Sequence, residues 1–470
     1  MSNYRLDIKL QQYTPLLHFQ GDTEGACLRA SEVKPKLDRF VVNYLGEKNI
    51  PDHWKLSIPS DGKGAVHGFT LNYKMRFHAE SEKIILKNYR QGKKEIHPLY
   101  FAAMGKSDSG VWDENGASKI KGVFYPNGIS MTILAVKAAD LLAQLAKLLP
   151  AFFLLHCFGN RSNKGFGSFQ VSTINDDPQN CFMSPQKLAN YLPSKTPALY
   201  YIQYPIRGYL REPLDTQNYG RQYLDDIQSL SALMKGGINY THGRTSDPSY
   251  FKGAIFQYMM QGHDQLHSEK ALVKRDVLKC QIEDTEVQKL FKKADIALPD
   301  SEFLYMRAVL GLAQGFTYRK DERKQNGQVI PVNSHSYRSG EVSVTGKETD
   351  EKGQPLIGRF ENPIHFKPHG CYILILPQQI PNKLLGAEFI LEGRKNRKLT
   401  GRAVVNVPYN FNLDDFLSYF SELYRNDAKI NEYRKMKVDP YKSKPLDKII
   451  ATVQRINTIY RVEKPKEGGN

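Results

Sequence analysis

The sequence predicts an α+β protein that contains more than one domain. Its 470 residues exceed the roughly 100–200 residues of a typical domain. Segments in which apolar and polar residues alternate, as in half-buried strands, are interleaved with segments whose apolar residues recur every three or four positions, as in amphipathic helices. Aromatic residues make up 11% of the chain, which argues against disorder and for packed cores.

The N-terminal segment predicts a strand followed by a helix. Residues 4–10 alternate apolar and polar side chains, which is the pattern of a strand buried on one face. Further along, Pro35 suits the first position of a helix, and Leu37, Phe40 and Tyr44 follow at helical spacing. We therefore expect a helix that begins at Pro35.

Basic residues surround the start of this predicted helix. Arg29 and Lys34 precede it, and Lys36 and Arg39 lie off its apolar face. The unpaired N–H groups of a helix N-terminus and the positive end of the helix dipole favour anions. Arg29 and Lys34 are therefore expected where a phosphate would be favoured.

Further strands and a second helix are predicted before residue 170. Residues 68–77 alternate like a strand, and residues 80–121 are interpreted as a long loop or insertion. Residues 131–149 have helical spacing, and the apolar run at 148–158 is interpreted as a buried strand that follows the helix. The order strand, helix, strand, helix, strand is compatible with a ferredoxin-like fold.

A glycine-rich basic loop occupies residues 158–169. It contains three glycines, two serines, Arg161 and Lys164. Glycines allow the backbone to approach a ligand closely, so that successive N–H groups can point at one anion, and the two cations add charge to such a cradle. The same residues also fit a structural hairpin between two buried strands. The loop alone leaves both interpretations open.

The second half of the chain again mixes helices and strands. The predicted helices are residues 221–234 and 413–424, and the predicted buried strands are residues 363–368 and 371–376. The Lys-rich tail is predicted to carry one terminal helix that includes Ile459.

A weak internal sequence similarity indicates two similar domains in tandem. Residues 244–256 resemble residues 31–40 in placing a hydroxyl residue and a lysine before a segment with aliphatic and aromatic side chains. We expect a first domain at residues 1–215, a second at 216–425 and a basic C-terminal helical tail at 426–470.

The charge of the chain points to a polyanionic partner. Lys and Arg number 66 against 49 Asp and Glu, which gives a formal net charge of +17. Nucleic acid is the commonest partner of such a surface. A membrane surface is the main alternative, but no segment of about 20 uncharged apolar residues is present, and the N-terminus lacks the apolar core of a signal peptide. We expect no membrane association.

The cysteines predict a reducing, cytoplasmic environment. The chain has five of them, widely scattered and without a pair at CxxC spacing. Free thiols explain this pattern better than a disulfide framework or a zinc site. The sequence therefore predicts neither a metal nor another cofactor.

Three motifs resemble the RAMP superfamily, the repeat-associated proteins that assemble RNA-guided CRISPR type III effector complexes. Residues 159–168, GNRSNKGFGS, resemble the glycine-rich loop of that family, in which a basic pair precedes Gly-Phe-Gly-Ser. Residues 248–255, PSYFKGAI, resemble its Pro-Ser-x-x-Lys-Gly helix start. Residues 14–16 together with residues 28–34 resemble a first copy of that element.

The resemblance implies tandem ferredoxin-like (RRM-like) RAMP domains with insertions. Two copies in one chain are most similar to the subunit with two RAMP domains that caps the far end of type III-B (Cmr) complexes. The resemblance implies that this protein holds the 3′ region of the guide RNA, or its duplex with target RNA, beside other RAMP subunits in antiviral defence. The implied RNA-binding residues are Arg29, Lys34, Lys36, Arg39, Gly159, Arg161, Ser162, Lys164, Gly165, Phe166, Gly167, Ser168, Lys252 and Gly253.

The sequence also departs from the family pattern. Pro35 stands where the helix-start motif has glycine, and the basic residues 393–401 lack the aromatic of a second Gly-Phe-Gly loop. Both departures leave the RNA contacts of the second domain open.

The main hypothesis is a non-catalytic RNA-binding subunit, and two alternatives stand beside it. One is a RAMP-type endoribonuclease that processes guide RNA or cuts target RNA with His18 or His156 as general acid or base. The other is a basic scaffold for acidic protein partners. Salt-sensitive RNA binding without cleavage separates the first hypothesis from both.

Overall fold

The computed structural model describes residues 4–17, 27–57, 69–79, 83–86, 122–178, 181, 183–203, 220–241, 248–261, 267–273, 277, 303–312, 315–318, 322–325, 328–331, 340–349, 351–352, 360–395, 398–426 and 458–465. These residues form helices and several mainly antiparallel sheets, which confirms the predicted α+β class. None of the described helices is both long and apolar enough to span a bilayer.

The secondary structure is as follows. The strands up to residue 203 are β1 (Arg5–Gln12), β2 (Leu16–Leu17), β3 (Lys55–Ser57), β4 (Phe69–Leu71), β5 (Lys74–His78), β6 (Ile84–Leu86), β7 (Gly122–Phe124), β8 (Ile129–Leu134), β9 (Phe169–Ile174) and β10 (Ala198–Gln203). The later strands are β11 (Ile238–Thr241), β12 (Pro248–Phe251), β13 (His267–Ser268), β14 (Phe303–Leu304), β15 (Gly315–Tyr318), β16 (Glu322–Gln325), β17 (Gln328–Pro331), β18 (Gly340–Gly346), β19 (Ile364–His369), β20 (Tyr372–Pro377), β21 (Glu388–Lys395), β22 (Lys398–Asn406) and β23 (Ile459–Glu463). The α-helices are α1 (Ala30–Leu45), α2 (Ala139–Leu155), α3 (Pro185–Leu188), α4 (Arg221–Ser231), α5 (Ala254–Met259), α6 (Glu269–Leu272) and α7 (Leu413–Asn426).

The first sheet has the strand order β5-β8-β1-β9, with all neighbours antiparallel. The predicted N-terminal strand is confirmed as β1. Its alternate residues Leu6, Ile8 and Leu10 are buried in one core with apolar residues of α1 and α2. The strand predicted at residues 68–77 is instead two strands, β4 and β5, because the chain turns at Asn72, whose N–H donates to the Trp54 carbonyl (2.7 Å).

Helix α1 starts before the predicted position. It begins at Ala30, so that Pro35 lies inside the helix and the predicted start at Pro35 is wrong. Val33 and Leu37 are fully buried against the sheet, while Pro35 is exposed. Proline lacks the N–H that would bond the carbonyl four residues earlier. The burial of the apolar face outweighs this single lost bond.

Two adjacent predictions around helix α2 are also wrong. Residues 131–134, predicted as helix, belong to strand β8, whose residues alternate between buried and partly exposed. Residues 148–155, predicted as strand, continue α2. The helix contacts β1 and β9 on the first sheet and β19 on the second. Residues 148–155 are covered on both sides and are all apolar, and such a run cannot be distinguished from a buried strand by periodicity.

A second sheet, in the order β19-β20-β10-β23, lies between two hydrophobic cores. Tyr372, Leu374 and Leu376 of β20 pack into the core of α1 and α2, whereas Ile373 and Ile375 pack into the core of the second half. A strand buried on both faces reads as a continuous apolar run, which is why the sequence predicted β19 and β20 correctly.

This sheet draws on all three predicted segments of the chain. Strand β10 comes from the predicted first domain and β23 from the predicted helical tail. Ile459 therefore lies in a strand and not in the predicted terminal helix; residues 427–457 lie outside the described part of the chain. The helices predicted at 221–234 and 413–424 are confirmed as α4, which continues as a π-helical turn at Ala232–Gly236, and α7. In the predicted loop at 80–121, the described residues 83–86 contain β6.

The glycine-rich loop packs tightly against other parts of the chain. Gly159 (φ +75°) and Gly167 (φ +65°) have left-handed backbones. A Cβ atom on Gly167 would lie 2.0 Å from the Phe158 carbonyl oxygen, and one on Gly159 would lie 2.4 Å from the Leu17 carbonyl oxygen. These glycines are therefore required by the close approach of the protein's own backbone.

We predict that Gly167→Ala lowers the free energy of unfolding by roughly 2–4 kcal/mol, because it adds a backbone clash to the cost of a left-handed non-glycine residue. Urea denaturation measures this loss. Gly236→Ala is the matched control, since a Cβ at Gly236 meets nothing within 4 Å. Equal stability of the two variants would contradict the prediction.

Candidate nucleic-acid interface

The backbone of the glycine-rich loop bonds the protein itself and is not the open anion cradle that the sequence suggested. Six of its N–H groups donate to internal acceptors: Phe158 to the Gly167 carbonyl (2.9 Å), Gly159 to Glu32 Oε1 (2.8 Å), Asn160 to the Leu17 carbonyl (2.9 Å), Lys164 to the Arg161 carbonyl (2.8 Å), Gly167 to the Pro15 carbonyl (2.8 Å) and Ser168 to Thr14 Oγ1 (3.0 Å). An N–H group that donates inside the fold is not available to an anion.

The loop joins the two halves of the chain through strand β19. The Phe366 N–H donates to the Asn163 carbonyl (2.9 Å), and the Ser168 hydroxyl donates to the Pro368 carbonyl. The Phe166 ring is fully buried in a small apolar cluster. Gly165, Phe166, Gly167 and Ser168, all predicted RNA contacts, are thus interior residues. Arg161, Ser162 and Lys164 remain half-buried at the loop tip.

Lys34, another predicted RNA contact, is engaged within the fold. Its Nζ lies 2.8 Å from Asp38 Oδ2, from Thr70 Oγ1 and from the Leu71 carbonyl. The ammonium also lies 4.1 Å from the centroid of the Tyr73 ring. Lys34 therefore holds α1 to strand β4, and its charge is balanced by Asp38.

Three cations and two imidazoles meet where α1, the end of α2, the loop and β19 come together. We call this group the central cation cluster, and it consists of Lys36, Arg39, His156, His365 and Lys367. Lys367 and His156 act electrostatically on His365, and Lys36, Arg39 and Lys367 act on His156. The sequence predicted Lys36 and Arg39 as RNA contacts, and the fold adds the other three.

Lys367 is a buried cation at the base of this cluster. Its side chain is only 5% exposed, and burial lowers its pKa. Its Nζ donates to the Ser162 carbonyl (3.1 Å) and hydrogen-bonds the Cys157 thiol. A charged ammonium in this position is costly without a countercharge, so an anion arriving beside Lys367 would stabilise its charged form.

The two imidazoles of the cluster are neutral in the free protein. Burial, together with the neighbouring cations, lowers the pKa of His156 to about 3. Burial likewise lowers the pKa of His365 to about 3, with Lys367 contributing. The Nδ1–H of His156 donates to the Phe152 carbonyl (2.8 Å), which orients its ring.

Lys36 and Arg39 form the outer part of the cluster on α1. Lys36 Nζ lies 3.0 Å from Glu32 Oε1, the same oxygen that accepts the Gly159 N–H. It also lies 5.0 Å from the centroid of the Phe158 ring. Arg39 is exposed, as is Arg29 at the residue that precedes α1.

A second group of cations lies on the other side of the loop. Lys235 donates to the Gly311 carbonyl (2.5 Å), and burial, together with Arg307 and Lys164, lowers its pKa to about 8. Arg307 pairs with the buried Glu269. Lys164 therefore extends the loop's charge toward the second half.

The second helix-start motif borders this group. Gly253 precedes α5, and a Cβ there would lie 2.7 Å from the Lys235 carbonyl oxygen. Lys252 is exposed, with its Nζ 5.0 Å from the centroid of the Phe256 ring. Gly253 is thus demanded by packing, while Lys252 stays at the surface.

The sequence contained a signal for the residues that were missed. His365 and Lys367 occur in a segment that was correctly predicted as a buried strand. Charged residues are almost never fully buried without a reason. A lysine in such a strand could therefore have identified the cluster. Among the described residues, no group of three or more His, Cys, Asp and Glu side chains converges as a metal site requires.

The structure thus gathers several cations at the junction of the two halves of an α+β fold. Comparison with family models makes the assignment specific. Residues 3–238 match the Cmr1 N-terminal domain, and residues 250–442 match the Cmr1 C-terminal domain. The chain belongs to the Cmr1 family. It is therefore a subunit of type III-B CRISPR effector complexes.

Solved structures show a more distant similarity. Cmr1 from Pyrococcus furiosus in its apo form is 13% identical, with a TM-score of 0.28 over 52% of this chain and 79% of that one. A chain of a type III-B Cmr-beta complex, bound to cognate target RNA and AMPPnP in the presence of single-stranded DNA, is 10% identical, with a TM-score of 0.25 over 80% of this chain and 94% of that one. No curated protein sequence matches significantly.

We predict that the protein loses stability as the pH falls from about 6.5 toward 3. Burial lowers the pKa of His369, which is 1% exposed, to about 3, as it does for His156. The unfolded chain, with a histidine pKa near 6.5, then binds more protons than the native state, so each such histidine contributes up to about 1.4 kcal/mol per pH unit in this window.

Urea denaturation at pH 7.5 and pH 5 measures this effect. His369→Gln removes one of the buried imidazoles and should show a smaller loss of stability between the two values, whereas His78→Gln, at an exposed position, should behave like the wild type. An unchanged pH dependence in His369→Gln would contradict the assignment.

Proposed function

We propose that this chain is an RNA-binding subunit of a type III-B effector complex, which holds the 3′ region of the guide RNA or its duplex with target RNA beside other RAMP subunits in the cytoplasm. The central cation cluster carries the proposal. It combines the exposed Arg39 with the buried Lys367, around a loop whose backbone is held rigid by internal hydrogen bonds. Such a group recognises phosphates by charge and not by base sequence, as suits a protein whose specificity comes from guide pairing.

The topology supports RAMP-type domains. The first half has the chain order β1, α1, β5, β8, α2, β9 and the sheet order β5-β8-β1-β9, which is a β-α-β-β-α-β arrangement of the ferredoxin-like kind. We propose that the second half is a related domain, as the match to separate N- and C-terminal family models supports.

The chemistry of the cluster favours binding over catalysis. Two imidazoles beside a lysine are a combination that can cleave RNA, but general acid–base catalysis works best with a pKa near the operating pH. His156 and His365, each with a pKa lowered to about 3, are far from that value. His18, the other candidate for a nuclease, lies outside the described residues.

We predict that Arg39→Glu weakens binding of a guide RNA at least several-fold and reduces the salt dependence of the affinity, because it removes a phosphate contact. Fluorescence anisotropy across a salt series measures both. Lys187→Glu makes the same change of charge at an exposed position on α3 and should bind like the wild type. Equal affinities of the two variants would exclude the cluster, and failure of the wild type to bind RNA would favour the scaffold for acidic proteins.

The ribonuclease alternative has its own test. We predict that guide and target RNA remain intact after prolonged incubation with the wild type, and that His156→Ala with His365→Ala changes nothing in a gel assay of labelled RNA. Cleavage by the wild type that disappears in this double variant would establish catalysis at the cluster.

A further inference from the structure

In the described part of the chain, one face of the first sheet is covered by no helix and takes no part in the central cation cluster. Its buried side chains, such as Ile8 and Met131, point into the core with α1 and α2. The intervening residues of β5, β8 and β1 are partly or fully exposed on the opposite face. This face is therefore on the other side of the sheet from the helix α1 that carries Arg39.

The strand register orders this face into three rows across β5, β8 and β1. The rows are Lys74, Leu134 and Arg5; Arg76, Thr132 and Asp7; and His78, Ser130 and Lys9. The β5 column is basic throughout, the β1 column carries Arg5 and Lys9 on either side of Asp7, and the central column has mostly short side chains. Since neighbouring strands lie about 4.8 Å apart, the β5 and β1 columns are roughly 10 Å apart.

The charge of this face is positive. Lys74 and Arg76 are exposed cations on the edge strand β5. On β1, Arg5 is balanced by Asp7 (2.7 Å), while Lys9 lies 3.6 Å from the highly exposed Asp176. An ion pair between such exposed groups is weak and yields readily to a stronger polyanion.

The composition of the face selects the kind of partner. Protein interfaces depend on a desolvated centre of aromatic and other large side chains, and here the grid contains only one large apolar residue, Leu134, 42% exposed. Proteins that bind single-stranded nucleic acid stack its bases mainly on aromatic side chains, and the grid contains no Phe, Tyr or Trp. A double helix, whose bases are already stacked, needs only cations and hydroxyls along its backbone.

We propose that this face binds the sugar–phosphate backbone of double-helical RNA along strand β8. Ser130 and Thr132 line the centre, where the Thr132 hydroxyl donates to Asp7 (2.9 Å), and the cations of β5 and β1 contact phosphates on either side. The proposal rests on the proposed function in one respect, because it takes RNA as the polyanion, and it adds a second surface that is separate from the central cation cluster.

The test compares a labelled RNA duplex of about 20 base pairs with a single strand of the same sequence, by fluorescence anisotropy over a salt series. Lys74→Glu with Arg76→Glu should weaken duplex binding at least tenfold and flatten its salt dependence, with a much smaller effect on the single strand. Lys187→Glu with Lys195→Glu, at exposed positions away from the sheet, is the charge-matched control and should leave both affinities unchanged.

Several results would overturn the proposal. Equal losses for duplex and single strand would remove the preference for a double helix, and normal RNA binding combined with failure to join purified partner subunits would make the face a protein interface. If Arg39→Glu weakens RNA binding while the β5 variant does not, the proposed function is supported and the duplex-binding surface is rejected. If the wild type binds neither the duplex nor the single strand, the proposed function and the duplex-binding surface are both rejected. Should the reversal variant unfold, Lys74→Gln with Arg76→Gln keeps neutral polar side chains on the strand and should still weaken duplex binding measurably.

Discussion

The close packing of the glycine-rich loop against the rest of the chain is the constraint on which the other features depend. Its backbone approaches Leu17 and Phe158 so closely that no side chain fits at two of its glycines. Its hydrogen bonds reach Glu32 on α1 and Phe366 on β19. One loop therefore positions a helix of the first half against a strand of the second, and the cation cluster forms where they meet.

Burial of Lys367 within this junction has an electrostatic consequence. Charge in a poorly hydrated position interacts more strongly with its surroundings than charge in water. The Ser162 carbonyl and the Cys157 thiol hold the ammonium without neutralising it, and the same desolvation keeps His156 and His365 neutral. The site thus combines cations with imidazoles that stay neutral near pH 7, and an anion beside Lys367 would stabilise the charged form of that lysine.

The residues of the family-like motifs serve two purposes: some stabilise the fold, and others place charge near the surface. The glycines, Phe166 and Ser168 stabilise the fold, as does Lys34 through Asp38. The charged side chains around them, Lys36 and Arg39, remain near the surface. A motif that resembles a binding loop can therefore owe its glycines to packing and still bring binding residues to its border.

The sequence by itself determined the α+β class, strands β1, β19 and β20, and the basic character of α1 and the loop, because local periodicity and composition report directly on burial and charge. Only the tertiary structure decided that residues 148–155 are helical, since a segment covered on both sides carries no period that favours helix over strand. The tertiary structure also determined which residues form the central cation cluster. Lys36 and Lys367 are 331 residues apart in the sequence, and no local pattern can predict that the packing of one loop brings their charges together.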